Sequence, residues 1–302
     1  MAQRRNAIII YNPRSGAHRR RDRAAEIESF RGLLLARGVD SEPWPTTGPG
    51  AATDLARRAA EAGADLVVVN GGDGTLNEAL QGMVGTRVPF GIWSGGTANV
   101  LARDLGLPAD PEAVADMVAG GRERRIAVGI AGERYFFLMA GIGLDASIIQ
   151  GVSPALKART GEAAFWVSGL KHFVAWHPEE FTVEVDGVSF AGAFAAVGNS
   201  PSYGGRFKVT PRASLDAAEL DVAIFPTRRF AFTYTRDLIA CFLGDPTRFG
   251  DVKYVKAKSL RAYGPGDAQP WVQVDGELLG PLPMRFASIP DAVTVMAPAG
   301  TP

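Results

Sequence analysis

The first 120 residues alternate short, continuous apolar runs with amphipathic stretches. Ala7-Ile8-Ile9-Ile10-Tyr11 and Asp65-Leu66-Val67-Val68-Val69-Asn70 are unbroken rather than alternating, the pattern of strands buried on both faces. Residues 24–37, 51–62 and 75–84 carry helical periodicity around them. Strand, helix, strand at this spacing predicts a parallel sheet with crossover helices. Such sheets take ligands at the carboxyl ends of their strands.

After about residue 124 the runs shorten and turn signals multiply, at Ala131-Gly132-Glu133, Asp186-Gly187 and Asp275-Gly276. That pattern predicts an antiparallel β domain, interrupted by helical stretches at roughly 161–175 and 228–243. The boundary is placed at 120–128, where Gly120 and Gly121 follow a helix-like Pro111 to Ala119. The division predicted is therefore 1–124, an α/β domain, and 125–302, a β-rich domain whose last strand can return to the first.

Composition agrees with two domains, since 302 residues exceed the size at which one core usually stops growing. With 46% hydrophobic and 21% charged residues the chain is ordinary globular material, not disordered or fibrous. The 36 Gly and 20 Pro imply many tight turns and close backbone approaches. Lys+Arg equals Asp+Glu at 32 each, so nothing global points to nucleic acid. Locally, Arg4, Arg5, Arg14, Arg19, Arg20, Arg21 and Arg23 face one acid, Asp22, a bias that suits phosphates or an anionic membrane surface. Cys241 stands alone, which excludes an internal disulfide and a cysteine zinc cluster and reads as a small core residue. His18, His172 and His177 have no metal spacing. No run approaches a membrane span or a signal-peptide core, so a cytoplasmic protein with peripheral membrane contact is expected.

Three turns in the first half share one design: a buried strand ends and a polar, glycine-bearing turn follows. They are Asn12-Pro13-Arg14-Ser15-Gly16, Gly71-Gly72-Asp73-Gly74-Thr75-Leu76-Asn77-Glu78 and Gly95-Gly96-Thr97-Ala98-Asn99. Glycine permits positive φ and close approach, so consecutive N–H groups can converge on an anion beside a helix terminus. Three such turns point to a polyphosphate site. The turns lack the Lys and Ser/Thr of a Walker loop. The dinucleotide-like Gly141-Ile142-Gly143-Leu144-Asp145-Ala146 lies in the β-rich half, with no strand–helix–strand unit around it.

At these residues the sequence resembles the diacylglycerol kinase catalytic-domain family, the soluble bacterial lipid kinases related to sphingosine and ceramide kinases. Asn12-Pro13 with Ser15-Gly16, Gly71 to Glu78, and Gly96-Thr97-Ala98-Asn99 carry the resemblance. Ala140 to Ala146, Gly198-Asn199 with Tyr203-Gly204-Gly205, and Val274-Asp275-Gly276-Glu277 continue it in family order. The resemblance implies a β-sandwich-like second domain and ATP-dependent phosphorylation of a lipid hydroxyl, diacylglycerol or a relative, at the cleft between the domains. It implies that the Gly71 to Glu78 run (Gly71, Gly72, Asp73, Gly74, Thr75, Asn77, Glu78) holds triphosphate, with Asp73 near Mg²⁺. It also implies that Asn12, Pro13, Ser15, Gly16, Thr46, Gly96, Thr97 and Asn99 contact nucleotide, and that Glu277 is the general base. By itself, Asp275-Gly276-Glu277 is a hairpin turn like Asp186-Gly187.

Three departures bear on the metal. Val100 and Ala127 stand where an Asp is common, and Ala217-Ala218 stands where an Asp-Gly pair can support a second, structural Mg²⁺. Asp216 remains as a candidate ligand. The apolar positions Phe165, Trp166, Leu170, Phe173, Val174 and Trp176, then Phe230, Phe232, Tyr234, Leu238 and Phe242, read as packing or as an acyl-chain slot. An NAD kinase-like enzyme using Asp73 as base and a non-catalytic lipid or nucleotide sensor remain alternatives. Oligomeric state, including a homodimer, is not readable.

Overall fold

A computed structural model describes residues 5–15, 22–144, 146–147, 178–203, 207–228, 234–244, 246–247, 250–266 and 269–299. The stretch 161–175, the three histidines, Gly16, Asp145, Gly204, Gly205, Phe230 and Phe232 lie outside them, as does the side chain of Leu238. The chain divides into two compact units, Met1–Ala127 with Asp291–Pro302, and Val128–Pro290.

The first unit contains β1 (Arg5–Tyr11), α1 (Arg23–Ala36), β2 (Val39–Pro45), α2 (Ala51–Glu61), β3 (Leu66–Gly71), α3 (Asp73–Met83), β4 (Phe90–Ser94), α4 (Val100–Asp104), α5 (Pro111–Gly120) and the start of β5 (Arg122–Ala131). The strands run parallel in the order β2-β1-β3-β4. Ile9, Ile10 and Leu66 to Val69 are fully buried, as continuous apolar strands require. On one face α1 and α5 pack against Ile9, Leu66 and Val68, with Phe30 stacked on Trp93 at 4.1 Å. On the other, α2 and α3 lie close because Gly82 has no side chain; a Cβ there would stand 2.4 Å from the Thr53 carbonyl oxygen.

The second unit continues β5 into β6 (Arg134–Phe136), β7 (Met139–Gly143), β8 (Phe181–Val185), β9 (Val188–Gly192), β10 (Phe194–Gly198), β11 (Ser202–Tyr203), β12 (Phe207–Lys208) and β13 (Leu220–Phe225). After these come α6 (Thr235–Phe242), β14 (Lys253–Ala257), β15 (Ser259–Tyr263), β16 (Trp271–Val274), β17 (Glu277–Pro281) and β18 (Met284–Ala297). The start of β18 pairs with β15, and β15 with β8, both antiparallel. A second sheet runs β14-β13-β10-β7-β16-β17. One apolar core joins the two sheets, from Phe181, Val183, Leu260 and Phe286 to Ile142, Val197, Val222 and Val272. The α/β plus antiparallel sandwich expected from the sequence is the architecture found. The Asp186-Gly187 and Asp275-Gly276 turns have positive φ at both residues, as two-residue hairpins favour. The end of β18 re-enters the first unit, where Val295 pairs in parallel with Phe90.

Of the second helical stretch, residues 229–233 lie outside the described residues. Among the described residues it is α6 alone. Tyr234, immediately before α6, is buried and Phe242 is 52% exposed, so the two do not share the one face an acyl slot would need.

Candidate active site

Each parallel strand of the first unit ends at the same edge of the sheet, and each end carries sequence-predicted residues. Thr46 follows β2, with its N–H donating to the Tyr11 carbonyl at 2.9 Å. Asn12 to Ser15 follow β1, the Gly71 to Glu78 run follows β3, and Gly95 to Asn99 follow β4.

Hydrogen bonds tie the turns together. The Asn12 amide Nδ2 donates to Thr75 Oγ1 at 3.3 Å, while Asn12 Oδ1 accepts from the Arg14 N–H at 2.9 Å. Ser15 Oγ donates to the Asn12 carbonyl, and Arg23 donates to the Ser15 carbonyl at 2.7 Å. The Gly95 N–H donates to the Gly71 carbonyl at 2.8 Å. Asn99 folds its side chain onto Gly96, accepting from its N–H at 3.0 Å and donating to its carbonyl at 2.9 Å.

The glycines are there for approach rather than for backbone angle. None of Gly71, Gly72, Gly74, Gly95 or Gly96 has positive φ; Asn99 does, at 47°. A Cβ on Gly96 would lie 2.5 Å from Gly72 Cα, and one on Gly71 2.6 Å from Thr75 Cβ. Gly74 is the exception, for a Cβ there would meet nothing within 4 Å.

Asp73 opens α3 and is partly buried. Its carboxylate oxygens accept from the N–H groups of Val100 at 3.3 Å and Leu101 at 3.4 Å, clasping the start of α4. Burial pushes its carboxyl above the ordinary value, opposed by these N–H groups, by Asn99 and by the charge of Arg103. Glu78 faces α2, where its Oε2 accepts from the Ala52 N–H at 3.4 Å. Asn77 is 2% exposed and accepts from Gln81. These two shape the turn from behind, whereas Thr97 is exposed beside Gly96 and Pro13 is exposed beside Asn12.

Sequence reasoning passed over Asn70, a fully buried amide at the end of β3. Its carbonyl accepts from the Asn12 N–H at 3.0 Å and its Nδ2 donates to the Trp93 carbonyl at 3.2 Å, which ties the ends of β1, β3 and β4 together. The signal was an amide closing an otherwise apolar run.

In the second unit Glu277 begins β17 directly after the Asp275-Gly276 turn. It is half-exposed, and its Oε2 accepts from Arg134 at 2.9 Å. Asp275 is the anchor of this corner. Its carboxylate accepts from the N–H groups of Phe137 at 2.8 Å and of Leu138 and Met139 at 3.0 Å each. Asn199 holds the same segment from the other side, donating its amide to the Phe137 carbonyl at 2.8 Å. These contacts cross more than 60 residues of sequence, which is why spacing alone did not reveal them.

Magnesium can be tested against the donor set. Among the described residues no group of three or more His, Cys, Asp or Glu could hold a metal ion. Mg²⁺ is commonly held by one or two carboxylates with substrate phosphates and water, and Asp73 at a turn of this kind fits that role. Asp216 lies in a turn of the second unit. The turn is closed by Ser214, and Ala217 and Ala218 bring no carboxylate. The neighbouring Asp221, fully buried, is forked by Arg212 Nε and Nη2 at 3.2 and 2.9 Å. Val100 and Ala127 are likewise buried, at 3% and 2% exposure.

Each of the two units matches a family model. Residues 6–131 match the model described as diacylglycerol kinase catalytic domain, and residues 139–297 match the YegS C-terminal NAD kinase beta sandwich-like domain. The chain belongs to the diacylglycerol kinase catalytic-domain family. It is 30% identical over 300 residues to a diacylglycerol kinase of Bacillus subtilis (strain 168), covering 97% of each chain. It is 29% identical over 299 residues to the diacylglycerol kinase of a Staphylococcus saprophyticus strain, covering 98% of this chain and 96% of that one. A crystal structure of a diacylglycerol kinase from Bacillus anthracis str. Sterne shares the fold, with a TM-score of 0.77 at 23% identity over 97% of this chain and 96% of that one.

Proposed function

We propose that this kinase transfers the γ-phosphoryl group of ATP to a hydroxyl of diacylglycerol or a related lipid at a membrane surface. The supporting observation is Gly74. It sits in the first turn of α3 without positive φ, and a Cβ there would meet nothing within 4 Å outside its own turn of helix. Neither packing nor backbone angle calls for glycine, and almost any other residue is a better helix former. Its bareness makes sense if a phosphate approaches the backbone at that point.

In this reading the N–H groups of Gly72 to Thr75 and of Thr97 face the phosphates, with Gly96 allowing close approach and Thr46, Pro13 and Ser15 bordering the nucleotide. Gly16, outside the described residues, would extend the same border. Asn12, Asn77, Glu78 and Asn99 hold the turns in shape. Asp73 would hold Mg²⁺, which when bound neutralises charge on the transferring phosphates. Phosphoryl transfer depends on such positioning and neutralisation rather than on covalent chemistry. Glu277 takes the proton of the acceptor hydroxyl, a contribution typically worth 10²–10⁴-fold. Asp275 and Asn199 hold the corner from which Glu277 projects, and Arg134 steadies its carboxylate. Among the described residues no helix is long and apolar enough to cross a membrane, so the lipid would be met at a surface.

The test is transfer of label from [γ-³²P]ATP to a mixed lipid extract by wild type and Glu277→Gln. Labelled phosphatidate or a related phospholipid, lost in the variant, is the expected result. Label on NAD, or no label, would falsify the proposal.

A further inference from the structure

Asn70 departs from the pattern of the strand it closes. Leu66 to Val69 are fully buried aliphatic residues, as a parallel strand covered on both faces requires, and Asn70, equally buried, puts an amide in the same environment. A buried amide is tolerated when both of its ends are hydrogen-bonded. Here one end is. Nδ2 donates to the Trp93 carbonyl at 3.2 Å, while Oδ1 has no donor among the described residues. An acceptor stripped of water without a new partner destabilises the fold, and an aliphatic residue would continue the run without that loss. Departures of this kind concentrate where function, not folding, selects the residue.

The amide sits beneath the three turns. β3 lies between β1 and β4, with Asn70 opposite Tyr11 on one side and Trp93 on the other. Toward β1, its carbonyl accepts from the Asn12 N–H at 3.0 Å, and Asn12 Nδ2 donates onward to Thr75 Oγ1 at 3.3 Å. That route is backbone, and any residue at 70 would supply it. Toward β4 the side chain is needed, because Gly95 rests on the amide itself: a Cβ there would lie 3.2 Å from Asn70 Nδ2 and 3.3 Å from Oδ1. This seat puts the Gly95 N–H on the Gly71 carbonyl at 2.8 Å and leaves Gly96 against Gly72, where a Cβ on Gly96 would meet Gly72 Cα at 2.5 Å. Asn70 itself is 0% exposed, so it acts through these neighbours rather than on a ligand.

We propose that Asn70 is a positioning residue for phosphoryl transfer: its side chain sets the distance between the β3 and β4 turns, and with it the gap the phosphates enter. The proposal rests on the kinase reading. The planar amide lies under Gly95 while its Nδ2 holds the strand end at Trp93, a combination no aliphatic side chain offers. A valine in its place would fill the space and continue the apolar run, yet release the Trp93 carbonyl and press on Gly95. The turns would then close at a different spacing, and a shift of about 1 Å caused away from the chemistry is worth on the order of 10²-fold in rate.

The test compares Asn70→Val and Asn70→Ala with wild type in three measurements: ligand-free thermal melts, binding of the non-hydrolysable ATP analogue adenylyl imidodiphosphate, and phosphate transfer from ATP to a dispersed short-chain diacylglycerol. Each variant loses an unpaired acceptor along with one hydrogen bond, so both should melt within about 4 °C of wild type. Affinity for the analogue and kcat/KM for ATP should fall at least about tenfold, with KM for diacylglycerol within about twofold of wild type. A purely structural role gives the reverse pattern, with early melting, less active protein and an unchanged KM for ATP. That result overturns the proposal, as do unchanged analogue binding and kcat/KM in variants that melt normally. Should Asn70→Val melt early by crowding Gly95, Asn70→Ala, which crowds nothing, decides alone. Wild type that binds the analogue but transfers no phosphate sinks the kinase reading, and the analogue affinities of the variants then decide on Asn70. Wild type that does neither overturns both.

Discussion

Replacing Gly74 with Ala separates two effects that usually move together. The backbone is not left-handed there, and the new methyl meets nothing within 4 Å outside its own turn of helix, so the folded chain accepts it without strain. Alanine is the better helix former and narrows the unfolded ensemble, which together stabilise by about 0.5–1 kcal/mol. For a chain of this size that raises the melting temperature by roughly 1–3 °C. The same methyl stands where a phosphate oxygen would meet the N–H groups of the turn. Displacing the phosphoryl group by about 1 Å costs on the order of 10²-fold in rate. The assay pairs a thermal melt of the ligand-free protein with initial rates across ATP concentrations. A variant that melts higher but transfers phosphate at least tenfold more slowly, or with a raised KM for ATP, is the expected result. Higher melting with unchanged kcat and KM would show that the space beside Gly74 is only solvent, and the phosphate-site reasoning would fail.

Other variants probe neighbouring contacts. Gly96→Ala puts a Cβ 2.5 Å from Gly72 Cα, a backbone atom that cannot swing aside; a stability loss of about 1–3 kcal/mol by melt, together with lost activity, is expected. Burial raises the Asp73 carboxyl, so the folded state binds its proton more readily than the unfolded state does. Stability attached to Asp73 is therefore present at low pH and lost as pH rises from the ordinary value of 3.8 through the higher folded value. The melting difference between Asp73→Asn and wild type, both ligand-free, should accordingly shift in the variant's favour from pH 3.5 to pH 7; a constant difference rejects this. Arg212→Ala leaves the buried Asp221 carboxylate without its fork. Because Arg212 is itself half-exposed, the loss should be about 1–3 kcal/mol, below that of a fully buried pair, measured by urea unfolding.

Much of the first unit was legible because its signals are local. The apolar runs of β1 and β3 and the periodicity of α1, α2 and α3 mark buried strands and the helices that cover them. β2 was not read as a strand. Its Val39-Asp40-Ser41-Glu42-Pro43-Trp44-Pro45 is half polar with two prolines, tolerable because β2 lies at the sheet edge and pairs only with β1. The hairpins at Asp186-Gly187 and Asp275-Gly276 were legible from turn chemistry, but the work of the Asp275 side chain was not. Its partners at Phe137, Leu138 and Met139 are more than 130 residues away and are recruited by folding. The three glycine-bearing turns were visible in composition, and of the two reasons offered for their glycines it is close approach that holds at Gly71, Gly95 and Gly96, with the positive φ falling on Asn99.

The return of β18 has a consequence for how the protein is made. Val295 pairs with Phe90 and Met296 belongs to the core beneath α1 and α5, so the sheet that carries the three turns is closed by residues synthesised after the whole second unit. Domains usually fold in order as they emerge from the ribosome. Here the first unit waits for the 163 residues of the second, Val128–Pro290, before its final strand exists. A chain halted at residue 290 would hold every turn residue and still lack the strand that borders β4. The first unit, whose segments come from before and after the second, is then completed only once the second has been made.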